Sequence, residues 1–190
     1  MRKFGWIAAI LGIVAFLSGC APENASVHYL TPAQEEAASK AALEERTKSL
    51  GLKWDYYTED DSIGNGTVKR AIVNSVNEID FGFPYQGKQR GRLEIRTHPR
   101  YGKDVILAID RGQFLCHTGG CSVTIQFDDE DYIYTYEATE PSSGSTTALF
   151  IRGYSPFLSH ARKAQRVRVE AEFYQEGPRT FEFDVSGLKW

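Results

Sequence analysis

The residues of this 190-residue chain best suited to covalent chemistry are its three cysteines, Cys20, Cys116 and Cys121. A thiol can act as a nucleophile, pair into a disulfide or bind a metal ion as a thiolate. The chain has only four histidines besides, so dense disulfide scaffolds and multi-zinc folds are excluded. The surroundings of each cysteine therefore decide which of these reactions the sequence predicts.

Cys20 follows an N-terminal segment that is typical of export. Arg2 and Lys3 precede an apolar run, residues 4–17, which is shorter than the about 20 residues that a membrane-spanning helix needs. A charged start, a short apolar centre and small residues after it indicate a signal peptide over residues 1–19.

The residues Leu17-Ser18-Gly19-Cys20 resemble the lipobox of bacterial lipoprotein precursors. This resemblance implies cleavage between Gly19 and Cys20, a diacylglycerol thioether on Cys20 and acylation of the new amino terminus. Several acyl chains would anchor the protein in a membrane, because each buried methylene contributes about 0.8 kcal/mol. Ala21, where an aspartate would imply inner-membrane retention, implies the outer membrane. An ordinary signal peptide with an unrelated cysteine is the alternative.

Composition describes a folded and slightly acidic protein. With 42% hydrophobic and 13% aromatic residues, the chain is not disordered over its whole length. Its 22 basic and 25 acidic residues give a net charge of −3, which argues against nucleic acid as a partner. Loss of residues 1–19 removes two basic residues and takes that charge from −3 to −5. Membrane attachment would therefore depend on lipid and not on attraction to anionic headgroups.

Cys116 and Cys121 lie in the segment FLCHTGGCSV, where apolar strand residues flank a glycine-containing turn. This pattern predicts a hairpin closed by a disulfide in an oxidising compartment. So short a closed loop stabilises the fold by about 2 kcal/mol. A metal site on Cys116, His117 and Cys121 is an alternative, but the spacing differs from the common C-x2-C ligand pairs. A redox-active pair would need the C-x-x-C helix start, which is missing.

The other titratable residues form no recognisable catalytic motif, since the chain lacks a G-x-S-x-G elbow. The acidic runs 59–61 and 128–131 could suggest calcium sites, but the run 128–131 lacks the spacing and glycine of an EF-hand, so we prefer a solvated turn there. We predict a protein without catalysis, metal or cofactor. The alternative is an envelope hydrolase in which two of five side chains meet only in the fold: Asp60, Asp61, Asp128, His98 and His160.

Two surface features suggest binding. A basic stretch could contact an anionic glycan or a protein, or its charges could pair with acidic neighbours; it contains Lys88, Arg90, Arg92, Arg96, Arg100 and Lys103. Tyr132, Tyr134 and Tyr136 alternate along a predicted strand. They could form a platform for stacking sugars or pack on the face of a sheet.

The elements that would position these residues begin with a helix over residues 32–50. Thr31 is a suitable N-cap, Gln34 completes a capping box and Gly51 is a plausible stop. The apolar stripe of this segment is thin and consists mostly of alanine. We interpret it as a spacer or loosely docked helix. A coiled coil that binds a partner is the alternative, but a sustained heptad seam is missing.

From Trp54 onward the apolar pattern has a period of two, and turn signals separate the short runs. Residues 105–109 form a continuous apolar run that is typical of a strand buried on both faces. One short helix is expected near residue 156, with Ser155 as its cap and Pro156 at its first position. The pattern predicts a mainly β protein, an antiparallel sandwich or barrel-like body with one short helix.

The predicted organisation is a signal peptide (1–19), a lipidated tether with the spacer helix (20–53) and a β-rich domain (54–190). Short segments of that domain resemble periplasmic accessory proteins associated with type VI secretion: Trp54, LEIR (93–96), ALFI (148–151), FLSHA (157–161) and FDVSGL (183–188). The cysteine expected near Arg96 in that group is absent. The resemblance implies a non-enzymatic β-sandwich.

Together these features predict a lipid-anchored binding or envelope-assembly module of the bacterial outer membrane. It would face the periplasm or the cell surface and bind an envelope protein or a glycan.

Overall fold

The computed structural model describes residues 31–116 and 119–190. These residues form α1 (Pro32–Ser49), β1 (Asp55–Asp60), β2 (Thr67–Asn74), β3 (Ile79–Phe81), β4 (Gly87–Gln89), β5 (Arg92–His98), β6 (Gly102–Ala108), β7 (Cys121–Phe127), β8 (Tyr134–Thr139), β9 (Ala148–Ile151), α2 (Tyr154–Ala161), β10 (Arg166–Phe173) and β11 (Gly177–Asp184). Neither of these helices combines the length and apolar character needed to cross a membrane. Residues 1–19 and the predicted lipidation residue Cys20 lie outside the described part.

Nine strands form one antiparallel sheet, in the order β1-β2-β5-β6-β9-β8-β7-β10-β11, and β3 pairs with β4 in a separate ribbon. Most neighbours in the large sheet are also close in sequence, so hairpins build most of it. The exceptions are β2 with β5, between which the chain forms the β3–β4 ribbon, and β6 with β9 and β7 with β10, which join distant parts of the chain. The prediction of a mainly β, antiparallel body with one short helix and a helix before it is confirmed.

The two ends of the large sheet approach each other where the chain leaves β2. The N–H of Val76 donates to the carbonyl of Glu182 in β11 over 2.7 Å. The Asn77 side chain extends this contact, since its Nδ2 donates to the Thr180 carbonyl at 2.9 Å and its Oδ1 accepts from the Glu182 N–H at 2.8 Å. The sheet therefore curls around its core into a sandwich-like body.

Alternation along the strands places their apolar residues in that core. In β5, Leu93 and Ile95 are fully buried while Glu94 and Arg96 point to the other face. The continuous apolar run 105–109 is buried along its whole length, as predicted, because β6 lies in the middle of the sheet. Aromatic rings fill the core at the end of β10, where Phe173 packs on Phe114 at a centroid distance of 4.6 Å.

Helix α1 has the predicted start and the predicted solvation. Thr31 and Gln34 form a complete capping box, and no residue of the helix is buried. Its C-terminal end is fixed to the body by Asn74 at the end of β2. The Asn74 Nδ2 donates to the Leu50 carbonyl at 3.1 Å, and its backbone N–H donates to the Gly51 carbonyl at 2.7 Å. The helix is thus held at one end and exposed along its length.

Helix α2 begins two residues earlier than its sequence indicates. The expected cap Ser155 and first residue Pro156 lie inside the helix, which starts at Tyr154 after the N-cap Gly153. The chain must turn within two residues of β9, and Gly153 makes that turn with a φ of 85°. Phe157 and Ala161 are buried, as their spacing predicts.

Candidate functional site

Cys116 and Cys121 stand at disulfide distance, with their sulfur atoms 2.16 Å apart and their Cα atoms 4.8 Å apart. Both sulfur atoms lie against the carbonyl oxygen of Ala138 in β8, at 3.9 Å and 3.5 Å. Both cysteines are partly buried and pack against the core. The pairing of these two residues agrees with the disulfide prediction.

The predicted hairpin around these cysteines is wrong. Phe114, just before Cys116, pairs antiparallel with Phe173 at the end of β10, and β7 pairs antiparallel with the same strand. Two segments that are both antiparallel to one neighbour run in the same direction, whereas hairpin strands run in opposite directions. Phe114 and β7 therefore follow one another along the same strand, β10, in the same direction, and the cysteine loop connects them. A glycine-containing loop between apolar runs is the sequence pattern both of a hairpin and of a loop between segments that run in the same direction, so the pattern does not distinguish them.

The metal alternative needs a third ligand near the cysteines. Within residues 31–116 and 119–190, no group of three histidine, cysteine, aspartate or glutamate side chains could hold a metal ion. His117, a member of the alternative ligand set, lies outside the described residues, as does Cys20.

Four of the five side chains considered for a hydrolase have other partners, the exception being Asp60 at the end of β1. Asp61 is 3% exposed and accepts hydrogen bonds from Arg100 at 2.5 and 2.7 Å. This hydrogen bonding lowers the pKa of Asp61 to about 2. His98 accepts a hydrogen bond from the Arg100 N–H through its Nδ1 at 3.1 Å, and its ring packs on Tyr101. The carboxylate of Asp61 is therefore held as an ion-pair partner.

The other candidates are occupied in a similar way. The Oδ1 of Asp128 accepts from the backbone N–H groups of Gln165 and Arg166, at 2.8 and 2.9 Å. The ring of His160 stacks on Phe127 with a centroid distance of 5.0 Å. Among the described residues, no hydrogen bond or ion pair joins any two of Asp60, Asp61, Asp128, His98 and His160.

The acidic run 128–131 serves as a charge partner for β10. Asp129 is exposed and pairs with Arg166 and Arg168, at 2.7 and 2.9 Å. Hydrogen bonding from Arg168 and the charge of Arg166 lower the pKa of Asp129. This placement agrees with the interpretation of the run as a solvated turn.

The three tyrosines predicted on one strand have different environments. Strand β8 begins only at Tyr134, so Tyr132 precedes it and is 64% exposed. Tyr136 is buried, and burial raises its pKa. Tyr134 packs against the ring of His160 at 4.7 Å. These contacts favour packing on the sheet face over an open platform of three rings.

Much of the basic stretch is neutralised. Arg96 donates to Asp104 at 2.6 and 3.0 Å, and Arg100 pairs with Asp61 as described. Arg90 pairs with Glu78 at 3.3 Å. The interpretation of a charged face with acidic neighbours therefore holds for these three arginines. Lys103 differs, since its ammonium lies over the ring of Tyr154 at 5.7 Å and has no acidic partner among the described residues.

Lys103 lies in an open cleft of about 770 Å³. The cleft is formed by β5, β6 and β9, by the loop after β8 and by the start of α2. Three cations lie along it, namely Arg96, Lys103 and Arg152, and we call it the basic cleft. The pairing of β6 with β9 brings these residues together from distant parts of the chain.

The charges of the basic cleft do not cancel. Arg96 and Asp104 neutralise each other on its floor, and each of these side chains is less than one-fifth exposed. The Lys103 ammonium and the Arg152 guanidinium have neither an ion-pair nor a hydrogen-bond partner among the described residues, and both residues are exposed. Glu140 is the opposing carboxylate in the lining. Two unpaired cations against one carboxylate leave a positive site on an acidic protein.

Three aromatic rings also line the basic cleft, those of Tyr101, Phe150 and Tyr154. The guanidinium of Arg96 lies over the ring of Phe150 at 5.4 Å. The hydroxyl of Tyr154 accepts a hydrogen bond from the Trp190 Nε1 at 2.6 Å, which fixes that ring from behind. Tyr101 stands at the rim and is 66% exposed. The ring of Tyr101 contacts Arg100 at 5.1 Å and His98 at 4.4 Å, so cations, a histidine ring and a hydrogen bond position the rings of the lining.

A smaller hollow of about 420 Å³ adjoins the basic cleft and shares Thr139 and Arg152 with it. Its lining also includes Gly120 and Cys121 of the cysteine loop and one acidic residue, Glu137 in β8. The two hollows form a groove that runs from Tyr101 to the paired cysteines, and Arg152 stands between them.

Sequence reasoning identified Arg96 and Lys103 as part of a basic stretch but missed Glu140, Phe150 and Arg152. Phe150 belongs to an apolar segment whose sequence is typical of a core strand. Its outward position depends on the register of β9 against β6. Arg152 is a single cation between β9 and α2, and no local sequence pattern marks it as a site residue.

We found no match for this chain among protein-family models, curated proteins or solved structures. The proposals below therefore depend on the residues and geometry of this chain.

Proposed function

We propose that this protein is a lipid-anchored module of the bacterial envelope that binds an envelope component in its basic cleft and catalyses no reaction. The observation that carries this proposal is the cleft, an open site of about 770 Å³ with unpaired cations and an exposed ring. Its size falls within the about 300–1,000 Å³ of typical ligand sites. The resemblance of short segments to type VI accessory proteins is compatible with such a binding role.

The anchor in this proposal is Cys20, with the lipobox resemblance as its support. Helix α1 would act as the spacer, because none of its residues is buried against the body. Its 18 residues make it about 27 Å long at ~1.5 Å per residue. The helix would thus separate the cleft-bearing body from the membrane.

The place where α1 joins the body supports an accessible cleft. Asn74, which holds the end of α1, pairs with Arg92 at the start of β5. Arg96 of the cleft lies about 13 Å further along β5, at ~3.3 Å per residue, and Tyr101 lies beyond the end of that strand. The attachment of the spacer and the cleft therefore occupy opposite ends of the same strands.

A hydrolase receives less support from the geometry. General acid–base chemistry on a glycosidic or peptide bond needs two groups that converge on the substrate. Asp61, Asp128, His98 and His160 each have a structural partner away from the basic cleft. None of the five hydrolase candidates lines the basic cleft.

The anchor is tested by mass spectrometry of the mature amino terminus in a bacterium with an outer membrane. We expect a lipidated product that begins at residue 20, and we expect Cys20→Ser to leave an unprocessed precursor, since the thiolate that takes the diacylglyceryl group is lost. A product that begins at residue 20 without lipid mass, or one cut elsewhere, would overturn the anchor.

The binding site is tested by cross-linking in the intact envelope. A photoreactive amino acid replaces Ser142 on the wall of the cleft or, as a control, Lys88 on the exposed face of β4. We expect an envelope adduct at residue 142 that the double variant Lys103→Gln/Arg152→Gln loses. Adducts of equal yield at both positions, or at neither, contradict binding in the basic cleft. Turnover of envelope polymers by the purified protein contradicts a role without catalysis.

A further inference from the structure

We infer that the ligand of the basic cleft is an acidic saccharide, a carbohydrate chain that carries carboxylate or phosphate groups. This inference rests on the proposed binding function and assigns a chemical class to the ligand. Cations, hydroxyl groups and an exposed ring meet in one groove, and each matches a different part of such a chain.

The cations match the acidic groups. Lys103 and Arg152 are exposed in the groove without an acidic partner among the described residues, so binding an anion breaks no existing ion pair there. A guanidinium or ammonium forms charge-assisted hydrogen bonds with carboxylate and phosphate oxygens. Arg96 is less available, because Asp104 already holds it. The anion-binding positions are therefore those of Lys103 and Arg152.

The neutral polar lining matches sugar hydroxyls. Thr139, Ser142 and Ser143 line the wall opposite β6, and each hydroxyl both donates and accepts hydrogen bonds. The carboxylate of Glu140 in the same loop can only accept hydrogen bonds, and a sugar hydroxyl can donate one to it. At the rim, Arg100 and His98 pack against the ring of Tyr101, but the residue is still 66% exposed, and the C–H face of a sugar can pack on the exposed part of the ring.

The shape of the site favours a chain over a single sugar. The smaller hollow continues the cleft past Thr139 and Arg152 to the cysteine loop. Arg152 would then stand in the middle of an extended ligand and Lys103 nearer one end. A chain with repeated acidic groups can reach both cations at once.

Two other anionic polymers fit less well. A peptide that adds a strand needs a free sheet edge, but β5, β6 and β9 each have a neighbour on both sides. A single-stranded nucleic acid stacks successive bases on several aromatic rings. Here Phe150 lies under Arg96 and Tyr154 lies under Lys103. Tyr101 also has a cation over its ring, Arg100 at 5.1 Å, and although it is 66% exposed it gives at most one ring for stacking among the described lining residues.

The experiment is a calorimetric titration of the full-length lipidated protein in detergent micelles. The probes are an oligogalacturonate for carboxylate, a phosphorylated oligosaccharide for phosphate and a neutral glucose oligomer of equal length. A polyglutamate peptide and a thymidine oligonucleotide represent the other anionic polymers. We expect one or both acidic saccharides to bind better than the other three probes, and the tighter of the two identifies the acidic group.

Four variants test the contacts. Lys103→Gln and Arg152→Gln should each weaken binding of the acidic saccharide by roughly tenfold, as the loss of one charged hydrogen bond implies. Glu140→Gln should strengthen it, because a repelling carboxylate is removed. Lys88→Gln, outside the cleft, should leave it unchanged.

The outcomes separate the two proposals. Stronger binding of polyglutamate or the oligonucleotide, or equal binding of neutral and acidic saccharides, overturns the acidic-saccharide assignment while the cross-link at residue 142 still supports a binding cleft. Absence of that cross-link overturns the proposed function itself. An acidic saccharide that binds Lys103→Gln and Arg152→Gln as tightly as the wild type overturns the assignment of its site.

Discussion

Gly91 lies so close to the ring of Phe181 that a β-carbon on Gly91 would stand 2.6 Å from the Cγ of that ring. Gly91 is buried where the chain enters β5, and its N–H donates to the Oγ of Ser75 at 2.9 Å. Phe181 is fully buried and cannot move aside without displacing the core. The absence of a side chain at residue 91 therefore lets β11 pack against the start of β5.

Gly91→Ala should consequently destabilise the protein by about 1–3 kcal/mol, the usual cost of overpacking a core. Gly102→Ala is the control, since Gly102 has a φ of 86° but nothing within 4 Å of an added β-carbon. That variant should lose only about 1 kcal/mol from backbone strain. Urea unfolding followed by tryptophan fluorescence compares them, and equal stability of Gly91→Ala and wild type would contradict the close packing.

The ion pair of Asp61 with Arg100 should make stability depend on pH. The ordinary pKa of this carboxyl is 3.8, and hydrogen bonding from Arg100 lowers it to about 2 in the folded protein. Because the folded-state pKa is lowered, the stabilisation is complete above the unfolded-state pKa and is lost as the pH falls toward the folded-state pKa. The pair therefore contributes fully above about pH 5, and its contribution declines between pH 5 and pH 2.

Asp61→Asn measures this contribution. Above about pH 5 the variant should be less stable than the wild type by a constant amount, and the difference should shrink as the pH falls toward 2. Unfolding by urea at a series of pH values records the difference. A difference that stays the same at pH 3 and pH 7 would show that the charge of Asp61 has no part in it.

The strands and the first helix could be predicted because their signals are local. Thr31 and Gln34 form the capping box that their spacing indicates, and the alternation of Leu93 and Ile95 with polar neighbours reveals a half-buried strand. Periodicity records which side of a strand meets the core. It does not record which strand lies beside it, so the order of the nine strands was not predictable.

The basic cleft shows the same limit. Lys103 in β6 and Arg152 after β9 come together only because β6 pairs with β9. The cysteine loop was misjudged for a related reason, since the direction of Phe114 is set by its pairing with Phe173 in β10. In both cases a long-range pairing decides the geometry, and a single sequence carries no signal for it.

Cys116 and Cys121 should stabilise the protein as a disulfide. Replacing both by serine should lower the free energy of unfolding by about 2 kcal/mol, since the bond restricts a short loop of the unfolded chain. A reductant should lower the melting temperature of the wild type and leave that of the double variant unchanged. The proposed lipid attachment should be unaffected, because its site in that proposal is Cys20.

A chelator distinguishes the disulfide from the metal alternative. It should leave the melting temperature of the wild type unchanged, because a disulfide needs no metal. Destabilisation by the chelator without an effect of the reductant would favour a metal site that includes His117.

Asn77 and its contacts with β11 give the last prediction. The side-chain amide donates to the Thr180 carbonyl and accepts from the Glu182 N–H. It thus supplies two hydrogen bonds that a neighbouring strand would otherwise give to β11. Asn77→Ala removes both hydrogen bonds and should cost about 1–3 kcal/mol, at about 0.5–1.5 kcal/mol for each bond. Asn77→Asp keeps the acceptor but loses the donor and places a charge beside the Thr180 carbonyl, so it should not restore the loss.

Hydrogen exchange locates the effect. In Asn77→Ala, the Glu182 N–H should exchange faster than in the wild type, whereas the Phe183 N–H, within the β10–β11 pairing, should change only as much as global stability does. If the Glu182 N–H keeps its wild-type protection relative to Phe183, the amide of Asn77 does not cover this edge, and the contact of Val76 with Glu182 alone closes the sheet.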